Sequence, residues 1–513
     1  MESLLAQVPL SWTCAGIILV LYVTSLVVYR LYLSPLSKFP GPKLAAATLL
    51  YEFYYDVVRY GQYTFKIKEL HEKYGPIVRI SPYELHVNDP TFYETLYTHH
   101  SPRDKSRFLL NIFDLHKSTF GTEKHDLHRI RRAALNPFFS RQRILRLEPV
   151  IQHLSRRFCE RAEDFARAGK PVPLSRGFSC LVTDVLTEYI LTESYNYLGK
   201  PEWAPQWHRT VRSVPEYGIL AKYVPWILPA LKSIPPSWVA LVDPGMGMVM
   251  GYYKACEARI REIMHDKERS VQKAKQKMST LPTLFHELLD GNLPPEEKSF
   301  ARLSEECQAL MGAGSETTTH ALEVICFHLL DNPDKLQKLL EELDRVNPDR
   351  KTSLPLCELE KLPYLSSVVL EGIRLSYGVG TRLQRIAPTE TLRYGEYKIP
   401  PGTPVSMTAY IQHHNEAIFP DSHKFIPERW LDPVERRRLE KYMVAFSRGS
   451  RQCVGMNLAR AELFITLATF FRWFQRIEIF NTTREDDIDM KHDLFLPRPG
   501  NLQTEGLQAK IYL

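Results

Sequence analysis

No two of the eight cysteines in this 513-residue chain stand at C-x-x-C spacing. This absence argues against a zinc knuckle or a thioredoxin-like redox site, and it indicates a reduced compartment without a disulfide framework. The chain also lacks a G-x-G-x-x-G motif, so no dinucleotide-binding unit is predicted. The formal net charge is only +7, from 66 Lys and Arg against 59 Asp and Glu, which gives no reason to expect a nucleic-acid partner.

Linkers rich in Gly, Ser or charge are missing, as are internal repeats and low-complexity tracts. With 44% hydrophobic and 24% charged residues, the chain has ample material for a large core. Beyond residue 60 the apolar pattern is mostly helical, with a hairpin pattern at 75–87 and a second strand region at about 382–406. We therefore predict one large, mainly α domain with a minor β part.

Charged residues and histidine are absent from positions 3–29. The nearly all-apolar stretch from Trp12 to Tyr29 would span about 27 Å as a helix, close to the hydrocarbon thickness of a bilayer. Arg30 and Lys38 follow it, which places the rest of the chain in the cytosol. The alternative, a cleaved signal peptide, is disfavoured by the length of the run and by the lack of a basic residue before it.

Residues 223–242, "YVPWILPALKSIPPSWVALV", form a second apolar segment, but four prolines interrupt it. A clean transmembrane helix is therefore excluded. The segment could lie in a membrane interface, cover an apolar pocket, or form a buried irregular loop.

Cys453 lies in "FSRGSRQCVGMNLARAEL", a loop of Gly and Arg before a long apolar helix. Most such cysteines are buried structural thiols. Here, however, Gly449 and Gly455 permit close backbone approach to something flat and bulky. The N-terminus of the following helix would stabilise a thiolate, and Arg451 can point at an anion.

The pattern F-x-x-G-x-R-x-C-x-G, from Phe446 to Gly455, resembles the haem-ligand signature of the cytochrome P-450 superfamily. Ser447 stands where that signature often has Gly, which predicts only a local adjustment. The resemblance implies the cytochrome P-450 fold with haem b as cofactor and Cys453 as the axial ligand of its iron. It also implies that Phe446, Gly449 and Arg451 help to bind the haem. A cysteinate ligand in this superfamily donates electron density that favours O–O cleavage.

Glu371 and Arg374 form an E-x-x-R pair on one face of a predicted helix. On its own, such a pair usually lies on a solvent-exposed helix surface and has no structural role. Here "FIPERW" (425–430) follows, and the resemblance implies that Arg429 joins the pair in a buried structural network. Removal of one member of such a network costs about 3–5 kcal/mol.

"AGSETT" (313–318) places acid and hydroxyl groups in the middle of a long apolar helix predicted over 306–330. Burial of such polar groups costs free energy, so their presence indicates a function. A threonine whose hydroxyl bonds to a nearby backbone carbonyl can also bend the helix. The resemblance implies an oxygen pocket at this bend, in which Thr317 stabilises the bound oxygen and Glu316 helps to deliver protons. Glu316 stands where many members have Asp. The alternative is a threonine-rich helix interior with local back-bonding.

"HRIRRA" (128–133) resembles the W-R-x-x-R helix of the superfamily, with His128 in the Trp position. His128 and Arg132 share one helix face. Both could hold a haem propionate, as could Arg385 and Arg451, because Arg favours bidentate carboxylate geometry.

Other basic residues are assigned more simply. We expect Arg129 and Arg131 to face water or a redox partner. The run "ERRRLEK" (435–441) is interpreted as a solvated face, with docking of an acidic partner as the alternative.

The resemblance extends over nearly the whole chain and implies a membrane-anchored haem-thiolate monooxygenase. It would insert one atom of O2 into a lipophilic small molecule by hydroxylation or epoxidation. Electrons would come from NADPH through a separate flavoprotein reductase, with cytochrome b5 as an optional second donor. Residues 1–34 would form a single-pass anchor in the endoplasmic reticulum membrane, spanning at about 12–29. Residues 35–513 would form the cytosolic catalytic domain.

Details such as "RRAALNPFFS" and "HNEAIFP" look like fungal microsomal members, trichodiene oxygenase-like, which suggests a terpenoid or polyketide secondary metabolite as substrate. Two alternatives remain open: a peroxide rearrangement that needs no reductase, against which Glu316 and Thr317 count, and a membrane-tethered haem or lipid binder without activity. The expected pocket residues, by family analogy, are 108–120, Leu310, Met311, Val379, Gly380 and Phe495.

Overall fold

Helices form most of the scaffold, and the strands are short. The structure is a computed structural model that describes residues 10–191, 194–265 and 283–513. Mainly α architecture with a minor β part, predicted from the sequence, is confirmed. The α-helices are α1 Leu10–Val28, α2 Lys43–Ala47, α3 Leu50–Phe53, α4 Tyr63–Tyr74, α5 Tyr93–Leu96, α6 Arg107–Leu110, α7 His125–Leu135, α8 Arg141–Arg167, α9 Leu174–Ile190, α10 Pro205–Gly218, α11 Ile227–Lys232, α12 Pro236–Val242, α13 Pro244–His265, α14 Leu284–Asp290, α15 Phe300–Leu330, α16 Pro333–Val346, α17 Leu356–Leu359, α18 Pro363–Ser376, α19 Ala409–His413, α20 Pro433–Glu440 and α21 Met456–Trp473.

The longest helix, α15, runs through the centre of the molecule. Most of its residues are buried, and the polar ones among them, such as Glu316 and Arg302, are paired with other side chains. It packs against α9, α13, α18 and α21, and α21 in turn packs against α8. The helix predicted at 306–330 therefore exists and begins six residues earlier, at Phe300.

Within the described residues, ten short strands form one four-stranded sheet and three two-stranded ones. In the four-stranded sheet the order is β1-β2-β6-β3. The predicted hairpin at 75–87 is its antiparallel pair β1–β2, in which Ile77 faces Val87. The strand region predicted at 382–406 supplies β3 to β6. The strands are β1 Ile77–Arg79, β2 Leu85–Val87, β3 Arg385–Ile386, β4 Leu392–Tyr394, β5 Tyr397–Ile399, β6 Pro404–Ser406, β7 Arg476–Ile479, β8 His492–Leu494, β9 Leu496–Arg498 and β10 Ala509–Tyr512.

The N-terminal helix stands apart from this core. Residues Trp12–Leu33 are long and apolar enough to cross a membrane, and no residue in the most apolar part of that stretch is buried by the rest of the chain. At its end, the Arg30 guanidinium donates to the carbonyl of Ala47 over 2.7 Å. The Arg79 guanidinium donates to the carbonyl of Arg30 over 2.8 Å. These two bonds fix where the apolar helix leaves the domain.

The proline-rich segment 223–242 forms two short helices, α11 and α12, rather than a buried loop. Trp226 and Trp238 are each 68% exposed, and Leu241 and Val242 are exposed further. Prolines at helix starts and in the connection explain the breaks, because proline lacks the N–H that an interior turn needs. The buried-loop interpretation is therefore wrong, and the segment does not line the central cavity described below.

Candidate active site

Cys453 lies at one side of a cavity between α15 and the loop that precedes α21. The loop turns back on itself, since the Cys453 N–H donates to the carbonyl of Phe446 over 2.9 Å. Gly449 has φ +73°, and a Cβ there would come within 2.5 Å of the carbonyl oxygens of Tyr97 and Thr98. Only glycine fits this turn, so the spacing of the motif is a steric requirement.

Burial raises the pKa of the Cys453 thiol, while backbone N–H groups of Gly455 and Met456 and the Arg132 guanidinium act to lower it. The N–H groups of Gly455 and Met456 lie at the start of α21, where the helix dipole favours an anion. These contacts would stabilise a thiolate at Cys453 once a further positively charged partner offsets the effect of burial.

Three cationic side chains line the same cavity: Lys105, Arg385 and Arg451. Arg451 donates to the carbonyls of Thr122 over 2.6 Å and Glu123 over 2.7 Å, and its Nε has no partner. Burial, followed by the charge of Arg385, lowers the pKa of Arg451 to about 9. These groups are an excess of buried positive charge, which requires an anionic partner.

Lys105 was not found from the sequence. Its ammonium group donates to the carbonyl of Phe120 over 2.7 Å. Burial lowers the pKa of Lys105 well below its ordinary value, and the charges of Arg451 and Arg385 lower it further. Its only sequence signal is its position directly before the predicted pocket stretch 108–120.

The predicted pair on α7 lies beside this cluster. Arg132 donates to the carbonyl of Gln452 over 2.6 Å, next to the cysteine. His128 is buried, and burial with the nearby cations lowers its pKa to about 2, so it is neutral. Neither side chain lines the cavity directly.

Arg131 corrects an expectation from the sequence. Arg129 is exposed as predicted, but Arg131 is buried and donates twice to Glu297, over 2.7 and 2.8 Å. Arg302, near the start of α15, donates to the same carboxylate over 3.0 Å. Arg131 is therefore part of an ion network between α7 and α15 and does not face water.

The two residues that the sequence analysis assigns to one oxygen pocket, Thr317 and Glu316, have different surroundings in the middle of α15. Thr317 lines the cavity, and its hydroxyl donates to the carbonyl of Ala313 over 2.8 Å. Glu316 does not line the cavity. Its Oε1 accepts from Arg498 over 2.8 Å, and its Oε2 is buried without a partner. Arg498, at the end of β9, is a partner that the sequence did not reveal.

The remaining wall of the cavity is apolar and aromatic. Phe113 and Phe495 meet edge to face with ring centroids 4.8 Å apart, and Phe120 packs against both. Of the residues expected by family analogy, Leu310, Val379 and Phe495 line the cavity, and the stretch 108–120 contributes five residues: Leu109, Leu110, Phe113, Leu115 and Phe120. Met311 does not, because it is fully buried on another face of α15, and Gly380 packs instead against Met490. Lining residues that the analogy missed include Val211, Val214, Pro215, Tyr252, Tyr253 and Gln308.

Glu371 and Arg374 are fully buried on α18, and Arg429 lies beside them with a mostly buried side chain. Arg374 donates to both carboxylate oxygens of Glu371, over 2.9 and 2.8 Å, and Arg429 adds a bond of 3.1 Å. The Trp430 indole donates to the same carboxylate over 2.9 Å. Although burial acts to raise the pKa of Glu371, these arginines lower it overall. The structure thus brings together the three residues that the resemblance grouped.

A comparison with family models finds the model described as Cytochrome P450, matched over residues 49–504. The chain belongs to the cytochrome P450 family. It is 46% identical to a cytochrome P450 monooxygenase, MO6277, of Ascocoryne sarcoides, over 96% of both chains. It is 42% identical to the tryptophan 6-hydroxylase fscE of Fusarium equiseti, over 97% of this chain and 96% of the relative. It is 40% identical to the monooxygenase oblB of Emericella variicolor, over 96% and 91%.

As a cytochrome P450, the chain is an oxidoreductase that carries out haem-dependent monooxygenation of a small molecule with O2. The cavity fits the haem that the family requires. Haem carries iron, which a thiolate can ligate, and two carboxylates, which match Lys105, Arg385 and Arg451, three cations that donate to backbone carbonyls and form no ion pair with an acid of the described residues. The fit rests on this excess of buried positive charge beside a cysteine.

Proposed function

We propose that this cytochrome P450 inserts one oxygen atom into a neutral, lipophilic substrate of fungal secondary metabolism, by hydroxylation or epoxidation. A terpenoid or polyketide scaffold suits the cavity best. The observation that carries the proposal is the placement of Cys453 and Thr317 on a cavity whose other walls are mainly apolar and aromatic. Such walls bind a substrate by burial of apolar surface and leave the choice of carbon to its orientation.

In this proposal the Cys453 thiolate would ligate the iron of the haem. Lys105, Arg385 and Arg451 hold the propionates, with His128 and Arg132 supporting them from α7, and Phe446 and Gly449 shape the loop. When bound, the haem supplies the oxygen activation that side chains cannot provide. The network of Glu371, Arg374 and Arg429 keeps the loop that carries Cys453 in place.

Thr317 and Glu316 serve proton delivery in this proposal. The Thr317 hydroxyl is now committed to the Ala313 carbonyl, and it can rotate to donate to a polar group in the cavity. Glu316 is held by Arg498, and its second oxygen is free to accept a water or turn toward Thr317. Glu316 thus acts as the acid and Thr317 as the hydroxyl that passes the proton on.

Electrons are proposed to come from NADPH through a separate flavoprotein reductase, with cytochrome b5 as an optional second donor. Arg129 on α7 is exposed and supplies positive charge for an acidic partner. The run 435–441 is less suited to docking, because Arg436 and Arg438 pair with acids on their own helix.

The membrane placement is also a proposal. Residues 1–34 form a single-pass anchor in the endoplasmic reticulum membrane, and residues 35–513 form the cytosolic catalytic domain. The exposed apolar side chains of α11 and α12 give a second contact with the bilayer, since aromatic side chains favour its interface.

The test is expression with a fungal reductase and comparison of the metabolites of the producing host with and without this chain. A new oxygenated product that needs both NADPH and the reductase supports the proposal. Turnover that needs neither favours peroxide rearrangement. Cys453→Ser must abolish both the product and the thiolate-type spectrum of the CO complex, and a variant that keeps both would refute the proposal.

A further inference from the structure

Phe495 forms the tip of the hairpin between β8 and β9. Strand pairing places Leu494 opposite Leu496, so Phe495 is the single residue between the two strands. Its φ is +72°, the largest positive value among the non-glycine residues that the structure describes. Because a bulky side chain disfavours this left-handed region, the surrounding structure must hold the backbone there.

Asp493 supplies a bond that stabilises this turn. Its Oδ1 accepts the backbone N–H of Phe495 over 3.1 Å. The carbonyl of Phe495 accepts in turn from the N–H of Gly380 over 3.0 Å. An aspartate that bonds to the backbone two residues on forms an Asx turn, in which the side chain takes the place of a backbone acceptor. Because the N–H of Phe495 has no other acceptor among the described residues, the turn depends on the Asp493 carboxylate.

The Asp493 carboxylate is itself fixed by residues at the start of α4. Its Oδ2 accepts from the hydroxyl of Thr64, a side chain that is fully buried. The backbone N–H of Asp493 donates to the carbonyl of Gly61 over 2.8 Å, and a Cβ at Gly61 would come within 2.7 Å of the Asp493 carbonyl oxygen. This segment therefore holds Asp493 closely, and Asp493 in turn holds the hairpin tip.

The hairpin tip is part of the cavity wall, whereas Asp493 and Thr64 do not line the cavity. The Phe495 ring packs edge to face on Phe113, with centroids 4.8 Å apart, and on Phe120, with centroids 6.1 Å apart. All three aromatic residues line the cavity. A displacement of the tip would therefore change the shape of the aromatic wall that a substrate meets.

We propose that Asp493 is a positioning residue for substrate recognition, because it holds Phe495 in the left-handed conformation that places its ring in the cavity wall. Thr64 acts one step further out by fixing the Asp493 carboxylate. Two residues that the substrate does not touch thereby help to select it. The inference rests on the proposed function and concerns how the same site recognises its substrate.

The test measures the binding of two haem ligands, imidazole and 4-phenylimidazole, to the full-length holoenzyme, from the shift of the haem absorption band. The dissociation constant of imidazole divided by that of 4-phenylimidazole gives the contribution of the phenyl group, and effects on haem ligation itself cancel. Phe495→Ala should lower this ratio about tenfold, the upper range for one aromatic contact. Asp493→Ala should lower it about threefold or more. Asp493→Asn keeps an acceptor for the N–H of Phe495 and should keep the parent ratio.

A double substitution separates positioning from a general loss of structure. In the Phe495→Ala background, Asp493→Ala should leave the ratio unchanged, because the ring through which Asp493 acts is absent. A further loss in that background as large as in the parent overturns the inference. A parent ratio in either single variant, Asp493→Ala or Phe495→Ala, overturns it as well.

Asp89 is the matched control. Its Oδ1 accepts the N–H of Thr91, two residues on, over 2.9 Å, and its Oδ2 accepts from the Tyr394 hydroxyl over 3.0 Å. The same two kinds of bond thus occur at a turn that does not line the cavity. Asp89→Ala should keep the parent ratio, and a loss equal to that of Asp493→Ala would refute the positioning role.

Thr64→Val is the second variant, for the case that Asp493→Ala does not fold. It removes only the anchoring hydroxyl and must lower the ratio in the same direction, so a parent ratio in Thr64→Val overturns the inference. The spectrum of the reduced CO complex is recorded for every variant. Failure of the haem-thiolate site, on which the proposed function depends, is therefore seen separately from failure of the positioning role.

Discussion

Arg498 and Glu316 form a buried ion pair, with Nη1 and Oε1 2.8 Å apart. The same guanidinium donates through Nε to Glu216 of α10 over 2.8 Å. One side chain at the end of β9 therefore holds a carboxylate on each of two helices, α10 and α15, that border the cavity. The position of the acid that we assign to proton delivery depends on a residue 182 places away in sequence.

Arg498→Met should lower the free energy of unfolding by about 3–5 kcal/mol, because it leaves Glu316 as a buried carboxylate without its partner. Urea denaturation of the purified protein measures this. Arg345→Met, which removes an exposed partner of Glu341, is the control and should change stability by at most about 1 kcal/mol. Equal effects of the two substitutions would show that the Arg498 pair is not structural.

Thr317→Ala should reduce the product formed per NADPH consumed, by tenfold or more, because the cavity loses the hydroxyl that we assign to passing the proton on. Thr319→Ala is a close control. The Thr319 hydroxyl also donates to the carbonyl four residues earlier, that of Ser315, but Thr319 does not line the cavity. Product and NADPH are measured in the same assay. Full coupling in Thr317→Ala, or equal loss in both variants, contradicts the assignment of Thr317.

Glu371→Gln should destabilise the protein by about 3–5 kcal/mol, since Arg374 and Arg429 then remain as buried charges without a counter-charge. The thermal midpoint and the haem content after purification report this loss. Glu358→Gln, which removes an exposed pair with Lys361, should change neither. A stable, fully haem-loaded Glu371→Gln protein would show that the network is dispensable.

Local patterns explain what could be predicted from the sequence. Three parts of the structure follow from short-range features of the sequence. A glycine at a turn with positive φ sets the Cys453 loop, alternating apolar and polar residues set the hairpin at 77–87, and a long apolar run sets the helix α15. The pair Glu371 and Arg374 was equally accessible, since three residues apart on a helix means one face.

Partners distant in sequence could not be predicted in this way. Arg131 was expected to face water, and only the packing of α7 on the start of α15 shows that it meets Glu297. Lys105 and Arg498 were missed for the same reason. Their roles come from neighbours that the fold supplies, and a single sequence carries no signal for such distant pairings.

Lys105→Met should have opposite effects on the haem-free and the haem-bound protein. Without haem, the substitution removes one of several like charges from a buried cluster and should stabilise the protein by about 1–3 kcal/mol. With haem, it removes a charge-assisted bond to a propionate and should speed haem loss by about tenfold or more. Denaturation of both forms and transfer of haem to apomyoglobin are the measurements. Lys124→Met, at an exposed neighbour, should show neither effect, and stabilisation or destabilisation of both forms by Lys105→Met would contradict the propionate role.

Asp493 gives a prediction about pH. Burial raises the pKa of this carboxyl from 3.8 to about 6, and the nearby charge of Asp56 acts in the same direction. The hydrogen bond from Thr64 and the charges of Lys222 and Arg382 act to lower the pKa but do not offset burial. Between these two values the folded protein holds a proton that the unfolded chain releases, so this group makes stability fall as pH rises. Two pKa units correspond to about 3 kcal/mol.

Asp493→Asn removes this titration and keeps a side chain that can accept from the Phe495 N–H, as Asp493 does over 3.1 Å. The free energy of unfolding of Asp493→Asn minus that of the parent should therefore rise by about 3 kcal/mol from pH 4 to pH 7 and stay constant above pH 7. Urea denaturation at a series of pH values measures the difference. Asp164→Asn, at an exposed position, should show a flat difference, and a flat or falling difference for Asp493→Asn would mean that the buried carboxyl is not protonated at acidic pH.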